Sequence, residues 1–489
     1  MFNLFGRKNS VQTQEVVPTR PLMLHNSLGG SLEVFTPARP RKVTLYTCGP
    51  TVYDYAHIGN FRAYVFADTL KRVLIYNKYE VKHTMNLTDF GHLVGDVDEG
   101  EDKMMIALKR AELTPSLENM RSIATQFIDA FTAEMSHIGN ITPTQYTRAS
   151  DYVHEQILLI RTLVEKGYTY ETTDGIYFDT SRFPRYGVLG NIDLAKLRAG
   201  ARIEVNPEKK HPADFVLWKK GELGWDSTWG KGFPGWHTEC TAMAFATLGK
   251  QVDIHTGGED LMYTHHNGEI AQAEASTSKV PYVRYWMHNA FISIDSTKIS
   301  KSLGNGITLG QLHDRGFSPL TYRYWLLTGH YRSSMNFTFE ALTGARQALF
   351  RLKRFILEEW KNETGGAVLT EYEKRFHEAI NDDLNTPKAL AILWELTKDT
   401  TASSADKSAT ARHFDTVLGL NLIERDEARK SLNVLVASDL PEDVQTLISQ
   451  RERARAEKDW EAADSLREAI NLKGYLLEDT QKGPKVTKV

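Results

Sequence analysis

VTLYTCGPTVYDYAHIGNFRAYVFADTLKRVLIYNKYEVKHTMN, residues 43–86, is the stretch that decides the fold. VTLYT reads as a short buried strand. After the loop from Cys48 to Asn60, the residues Phe61, Tyr64, Val65, Thr69, Val73 and Leu74 recur at helical spacing and share one face. YEVKHTMN then alternates Val81, His83 and Met85, the period of a second strand. Strand, loop, helix, strand is a βαβ unit. It implies a parallel, Rossmann-like sheet that takes ligands at the carboxyl ends of its strands. Cys48 and His57 stand in a loop at such an end. Neither glycine-rich phosphate cradle, G-x-G-x-x-G or G-x-x-x-x-G-K-[ST], occurs at this turn. A phosphate held here would meet His57, Asn60 and the helix N-terminus behind them.

Outward from this unit the chain divides by composition. Residues 1–21, MFNLFGRKNSVQTQEVVPTRP, have an apolar patch too short for a signal peptide and read as a disordered extension, with a transit peptide as the alternative. Residues 22–145 form the first half of an α/β domain. Residues 146–235 mix short strands such as GIYFDT with turns and read as an insertion. Residues 236–335 return to the sheet, with WMHNAFISID (286–295) as one strand followed by KISKSLGN. Residues 336–437 read as a helical bundle, with Pro387 placed to start a helix. In residues 438–489, RERARAEKDWEAADSLREAINLKG reads as one charged amphipathic helix ending at Gly474, and QKGPKVTKV as a flexible basic tail.

The bulk composition is that of a globular protein, 41% apolar and 25% charged, with a net charge of −3 that announces no global attraction to nucleic acid; a local patch would have to supply any such attraction. No apolar run approaches the ~18 residues of a membrane span. Two cysteines in 489 residues argue against a disulfide framework and for a reducing, cytoplasmic setting. The second, Cys240, lies in GWHTECTAM. Downstream, in THHNGE, His265 and Glu269 stand four apart on a helical stretch and share a face. Two thiols, an imidazole and a carboxylate make a possible tetrahedral zinc set. The thiols are far apart in sequence, so spacing alone favours, for each residue taken singly, a buried small residue, a core histidine and a solvated glutamate.

Taken together, from about Leu22 to the C-terminus, these segments resemble the cysteinyl-tRNA synthetases, a family of class I aminoacyl-tRNA synthetases. His57-Ile58-Gly59-Asn60 resembles the family's HIGH motif, and Lys298-Ile299-Ser300-Lys301-Ser302 its KMSKS motif. TCGPTVYD precedes the first; GWHTEC and THHNGE precede the second. The resemblance implies a class I catalytic domain with an insertion, a helical bundle and a small C-terminal tRNA-binding domain.

It also implies one zinc ion per chain, held by Cys48, Cys240, His265 and Glu269, with Cys48 facing the amino acid as well. Thr88, Trp236 and His255 match positions that line the cysteine pocket. His57, Gly59, Asn60, Gly258, Asp260, Lys298, Ser300 and Lys301 match positions that meet ATP, used with Mg²⁺. His57, Asn60, Lys298 and Lys301 would carry the catalysis of adenylate formation. The implied partners are L-cysteine, ATP and tRNA(Cys), with no membrane, no obligate protein partner and a monomeric state.

Three departures stand out. Asn60 replaces the second histidine of HIGH, Ile299 replaces methionine, and FGHLVGDVDEGEDKMM follows NLTD where the family often reads Val-Asp-Asp-Lys, which leaves the contacts around Asp89 open. The nearest competing reading is a cysteine ligase of mycothiol synthesis, with the same catalytic domain and an amino-sugar acceptor. DDLNTPKALAILWEL and the charged C-terminal run resemble the synthetase instead. A non-catalytic, zinc-dependent RNA-binding protein would not need two phosphate-handling motifs.

Overall fold

The computed structural model describes residues 20–90, 103–192, 206–294, 297–298, 306–423, 434–435, 440–480 and 483–488. The first region holds β1 (Met23–Asn26), β2 (Ser31–Val34), β3 (Lys42–Thr47), α1 (Ile58–Tyr76), β4 (Glu80–Leu87), α2 (Lys103–Arg110), α3 (Leu117–His137) and β5 (Gln145–Arg148). The insertion adds α4 (Val153–Glu165), β6 (Thr169–Glu171), β7 (Gly175–Phe178), β8 (Phe215–Trp225) and β9 (Gly232–Pro234), whose strands form one antiparallel sheet. The line expected between 145 and 146 falls within β5, the edge strand of the main sheet, so the inserted sheet begins later.

The chain then returns through α5 (Trp236–Thr247), β10 (Val252–Gly258), α6 (Glu259–Met262), α7 (His265–Thr277), β11 (Val283–Asn289), β12 (Ile292–Ile294), β13 (Thr297–Lys298), α8 (Leu309–Asp314), α9 (Pro319–Leu327) and β14 (Met335–Phe337). The central sheet runs β11-β10-β3-β4-β5 and every pairing in it is parallel. β3 leads outward to β4 and β5. The chain comes back on the other side of β3 as β10. The order therefore reverses between β3 and β10, which opens a crevice at their carboxyl ends.

Both faces of the sheet are covered, as a parallel sheet requires. Leu45 and Ile254 pack into one core with α1 and α3; Tyr46, Val252 and Trp286 pack into the other with α4, α5 and α7. All six residues assigned to the apolar face of α1 are buried. Burial extends round the helix to Arg62, Asp68 and Lys71, because the bundle covers its far side.

WMHNAFISID is two strands in two sheets rather than one. Ala290 donates its N–H to Tyr331 O (2.9 Å) and Phe291 its N–H to Glu259 Oε1 (3.1 Å), which turns the chain off the line of β11 and into the β13-β12-β14 sheet.

The bundle comprises α10 (Phe339–Arg354), α11 (Thr370–Ile380), α12 (Thr386–Lys398) and α13 (Ser404–Leu418). Pro387 does sit in the first turn of α12, behind the Asn385 cap. Fully buried Arg323 bonds Asp68 Oδ2 (2.6 Å), Asn140 Oδ1 (2.8 Å) and Leu418 O (2.7 Å), tying the bundle to α1.

The last unit holds β15 (Val434–Leu435), α14 (Glu442–Ala456), α15 (Trp460–Leu472), β16 (Tyr475–Thr480) and β17 (Gly483–Lys488). Here two expectations are corrected. The charged run is two helices, broken where Lys458 takes a left-handed φ of 62° and Asp459 caps the next helix through Ala462 N–H. The expected flexible tail is, over 483–488, a strand paired antiparallel with β16, and Val486 within it is buried. The expected extension over residues 1–19, the segment 91–102 and the residues Ile299–Ser302 lie outside the described residues.

Candidate active site

The first turn of α1 is built by reciprocal capping. Asn60 N–H donates to His57 Nδ1 (3.3 Å) and His57 N–H to Asn60 Oδ1 (3.1 Å). Asn60 thus commits its amide oxygen to the cap and keeps its NH₂ as the donor. Gly59 lies in the same turn, between them. The chain downstream of the Lys298–Ser302 motif returns to this point: Ile58 N–H donates to Ile307 O at 2.7 Å, and His57 bridges Thr308. A Cβ on Gly306 would come within 3.3 Å of His57 Cδ2. The backbone of Lys298, in β13, pairs with Ser293 of β12, while Ser300 and Lys301 lie outside the described residues.

At the end of β10, Gly258 precedes α6, and a Cβ there would stand 2.2 Å from Asp260 Oδ1. Only glycine lets that carboxylate fold back over the helix start. Both residues stand at the carboxyl end of β10, beside the reversal of strand order.

On the other side of the crevice four donors meet. Cys48 follows β3, Cys240 is on α5, and His265 and Glu269 occupy successive turns of α7. All are buried, and their donor atoms lie within 4.8 Å of one another, a set that could hold a metal ion. Cys48 Sγ is 4.0 Å from Glu269 Oε1. His265 uses Nδ1 in a 2.8 Å hydrogen bond with His237 Nδ1, which leaves Nε2 facing the cluster. That Nε2 lies 3.2 Å from Glu269 Oε1 yet makes no directed hydrogen bond, as expected of two donors converging on a common centre.

A second set, Cys48, His255, His266 and Glu269, also lies within 4.8 Å. In it, His266 Nε2 faces Cys48 Sγ at 3.5 Å. His255 Nε2 spans both oxygens of Glu269 (3.1 Å each), and His266 Nδ1 bonds His288 Nε2 (2.8 Å), while His288 Nδ1 in turn meets Ser27 Oγ (2.8 Å). The first set keeps the two sulfurs.

Electrostatics agree with a place for a cation. Burial pushes the Cys48 thiol up and that of Cys240 well above its ordinary value. Burial also opposes ionisation of Glu269, but His255 and His265 outweigh it and hold that carboxyl at about 2. Burial would lower His265, and the Cys240 and Glu269 charges instead raise it to about 10. Among the described residues, the groups that offset the Glu269 carboxylate in this dry site are imidazoles, and the two thiols beside it are held neutral. A divalent ion would supply the missing charge and ionise the thiols.

The residues expected to line the pocket surround this cluster. The Trp236 ring lies 4.2 Å from that of His265, and His255 stacks on Trp286 at 4.6 Å. Thr88 donates to Glu239 Oε2 (2.9 Å), next to Cys240, and its backbone pairs with the loop after Cys48. Asp89 is a structural anchor: it accepts from Ser150 N–H (2.9 Å) and Oγ–H (2.6 Å), and burial raises its pKa.

Sequence reading missed His237, His266, His288 and Ser27. The first two are next to assigned residues in GWHTEC and THHNGE, which was the available signal. His288 and Ser27 are joined to them only by the fold.

Comparison with known proteins follows the same lines. The description "tRNA synthetases class I (C) catalytic domain" matches residues 34–347, "DALR domain" residues 375–421, and "Cysteinyl-tRNA ligase anticodon binding domain" residues 437–485. A cysteine–tRNA ligase 1 of Burkholderia lata is 45% identical, over 95% of this chain and 97% of that one. A cysteine–tRNA ligase of Treponema denticola is 40% identical, over 94% and 98%. Among solved structures, a Mycobacterium tuberculosis methionyl-tRNA synthetase with methionyl-adenylate shares the fold at 13% identity and a TM-score of 0.52, over 80% of this chain and 92% of that one. The catalytic match covers well over half of the chain, and the whole-length relatives agree with it: the chain belongs to the cysteine–tRNA ligase family of class I aminoacyl-tRNA synthetases.

Proposed function

We propose that the protein activates L-cysteine with ATP and transfers it to tRNA(Cys) in a reducing cytoplasm, selecting the substrate by its sulfur. The observation that carries the reading is the meeting of Cys48, Cys240, His265 and Glu269, from three separate segments, in the crevice that α1 enters with His57. Two thiolates, an imidazole and a carboxylate suit zinc, whose borderline-soft ion would bind the substrate thiolate in preference to serine's hydroxyl. Trp236 and His255 wall the site and orient its ligands.

The carboxylate of the bound cysteine attacks the α-phosphate of ATP and pyrophosphate leaves. Such a step needs mainly positioning and charge stabilisation. The N-terminus of α1, His57 and the Asn60 amide are the donors for the phosphates. Gly59, Gly258 and Asp260 border the nucleotide, with Mg²⁺ accompanying it. Lys298 and Lys301, with Ser300, meet the charge developing on the leaving group. A terminal ribose hydroxyl of tRNA(Cys) then attacks the carbonyl of the adenylate and AMP leaves, with the tRNA gripped at its other end by residues 438–489.

The test is cysteine-dependent exchange of pyrophosphate into ATP, followed by charging of tRNA(Cys), with metal analysis of the same sample. Full activity in a zinc-free sample would remove the sulfur-selection step. Absence of exchange would remove the reading.

A further inference from the structure

We propose that Arg62 is a positioning residue for adenylate formation. On this view it fixes the hairpin that carries Lys298 against the His57–Asn60 end of α1. The inference rests on the functional reading above.

Arg62 stands one turn into α1, is 4% exposed, and spends its guanidinium on main-chain oxygens. It donates to Phe291 O (3.3 Å), His330 O (3.5 Å), Tyr331 O (3.1 Å) and Ser333 O. A buried cation is costly unless its donors are used, and an apolar side chain would fill the same space more cheaply. Planar, forked donors can, however, hold several carbonyls in one relative geometry.

The carbonyls are well chosen for that purpose. Phe291 is the residue before β12, and β12 pairs with β13, which ends at Lys298. The N–H of Phe291 is held by Glu259 Oε1 at 3.1 Å, next to Gly258. Phe291 is thus gripped through its C=O by the phosphate-facing helix and through its N–H by the segment that borders the nucleotide.

The other three carbonyls belong to the 330–333 turn. Tyr331 of this turn stacks on Phe66, one turn further along α1 (4.4 Å, 11°). Met335 then donates to Phe291 O (3.2 Å), leading into β14, the other neighbour of β12. Downstream of the lysine motif, Ile58 N–H holds Ile307 O. The first two turns of α1 therefore anchor the chain on both sides of the motif, through Arg62 before it and Ile58 after it. Displacing such an anchor by ~1 Å can cost ~10²-fold in rate without touching substrate.

Arg62→Met and Arg62→Lys in the full-length protein test this. Pyrophosphate exchange is measured against ATP and cysteine, together with zinc content and melting temperature. Arg62→Met should lower kcat about 10²-fold while the KM for cysteine stays within about twofold and zinc remains bound. Arg62→Lys, keeping the charge but not the fork, should lie about tenfold below the unaltered protein. A folded Arg62→Met with unaltered kcat overturns the proposal. So does a joint fall of kcat, cysteine affinity, zinc and melting temperature that Arg62→Lys does not restore, because that marks a purely structural role. If Arg62→Met does not fold, Arg62→Lys decides: lower kcat at unchanged cysteine KM supports positioning, and unaltered kcat refutes it. Failure of the functional reading would look different, since the unaltered protein itself would then show no cysteine-dependent exchange.

Discussion

The catalytic body and the C-terminal unit are held together in different ways. The body packs two extended cores on the two faces of one parallel sheet, and the bundle is locked to it through the buried Arg323–Asp68 pair. Among the described residues, the core cluster of the C-terminal unit is Leu440, Val444, Ile470, Tyr475, Leu477 and Val486. Much of its remaining cohesion is ionic: Arg451 makes a forked pair with Asp479 (2.8 and 2.9 Å), and Arg455 joins the same carboxylate. Arg346 of α10 reaches it through Asn471 O at 3.0 Å. Chemistry that depends on sub-ångström placement sits where cores are large and over-determined. The unit matched to anticodon binding has a small core, and small cores are marginal.

The largest expected effect lies in the body. Cys240→Ser removes a sulfur from a set in which every donor is buried. Zinc binding and cysteine activation should fall together. Discrimination of cysteine from serine should drop from above ~10⁴ to the ~10² that size alone supplies. Wild-type selectivity in a folded, zinc-depleted variant would mean that the body does not select through sulfur.

Next in size is removal of the C-terminal unit. A chain cut near Ser438 keeps both large cores and the Arg323 junction, so pyrophosphate exchange should remain near its full rate. Charging of tRNA(Cys) should fall by about 10²-fold or more, through lost affinity, and the residual binding should be more salt-sensitive than specific. Loss of exchange in the truncated protein would break the comparison, by showing one cooperative unit. Undiminished charging would take the RNA role away from the C-terminus and revive the amino-sugar ligase reading.

How much of this was legible follows from the range of the interactions. The βαβ unit was readable because its periodicities are local, and so was the start of α12, since Pro387 acts within one turn. The pairing of His265 with Glu269 was readable because four residues on a helix suffice. The meeting of Cys48 and Cys240 was not, except through the motifs around them, because β3 and α5 are brought together by the reversal of strand order. The Ser27–His288–His266 chain spans more than two hundred residues and leaves no local trace. In the C-terminal unit, charge misled. A continuous amphipathic pattern hid the left-handed Lys458, and the lysines of 483–488 masked a strand in which Val486 is buried.

A more modest effect tests how rigidly the body holds its donors. His237 is outside the proposed ligand set; its Nδ1 bonds the ring nitrogen of His265 that faces away from the cluster. His237→Ala should weaken metal retention by about 10–100-fold, measured as zinc release to a chelator. Cys48, Cys240 and Glu269 stay in place, so the fold should persist. Unchanged release would mean that packing by Trp236, not the hydrogen bond, orients His265.

The smallest effect belongs to the C-terminal unit. The side-chain hydrogen bonds from Arg451, helped by those from Arg455, hold the Asp479 carboxyl at about 2, against ~3.9 for a free aspartate. A carboxyl whose pKa is lower folded than unfolded stabilises above its unfolded value. That contribution is complete above about pH 4 and fades as the pH falls towards 2. Asp479 is 37% exposed, so solvent screening keeps the pair's worth to about 1 kcal/mol. Asp479→Asn should therefore raise amide exchange in α14 and α15 about fivefold at pH 7, corresponding to about 1 kcal/mol. The excess over the unaltered protein should shrink below pH 4 and vanish near pH 2, where the native carboxyl is itself protonated. Amides of α1 and α7, in the body, should not respond. An equal response in α1 would mean that the two regions open together, and the contrast between a rigid catalytic body and a separately marginal RNA-binding unit would fail.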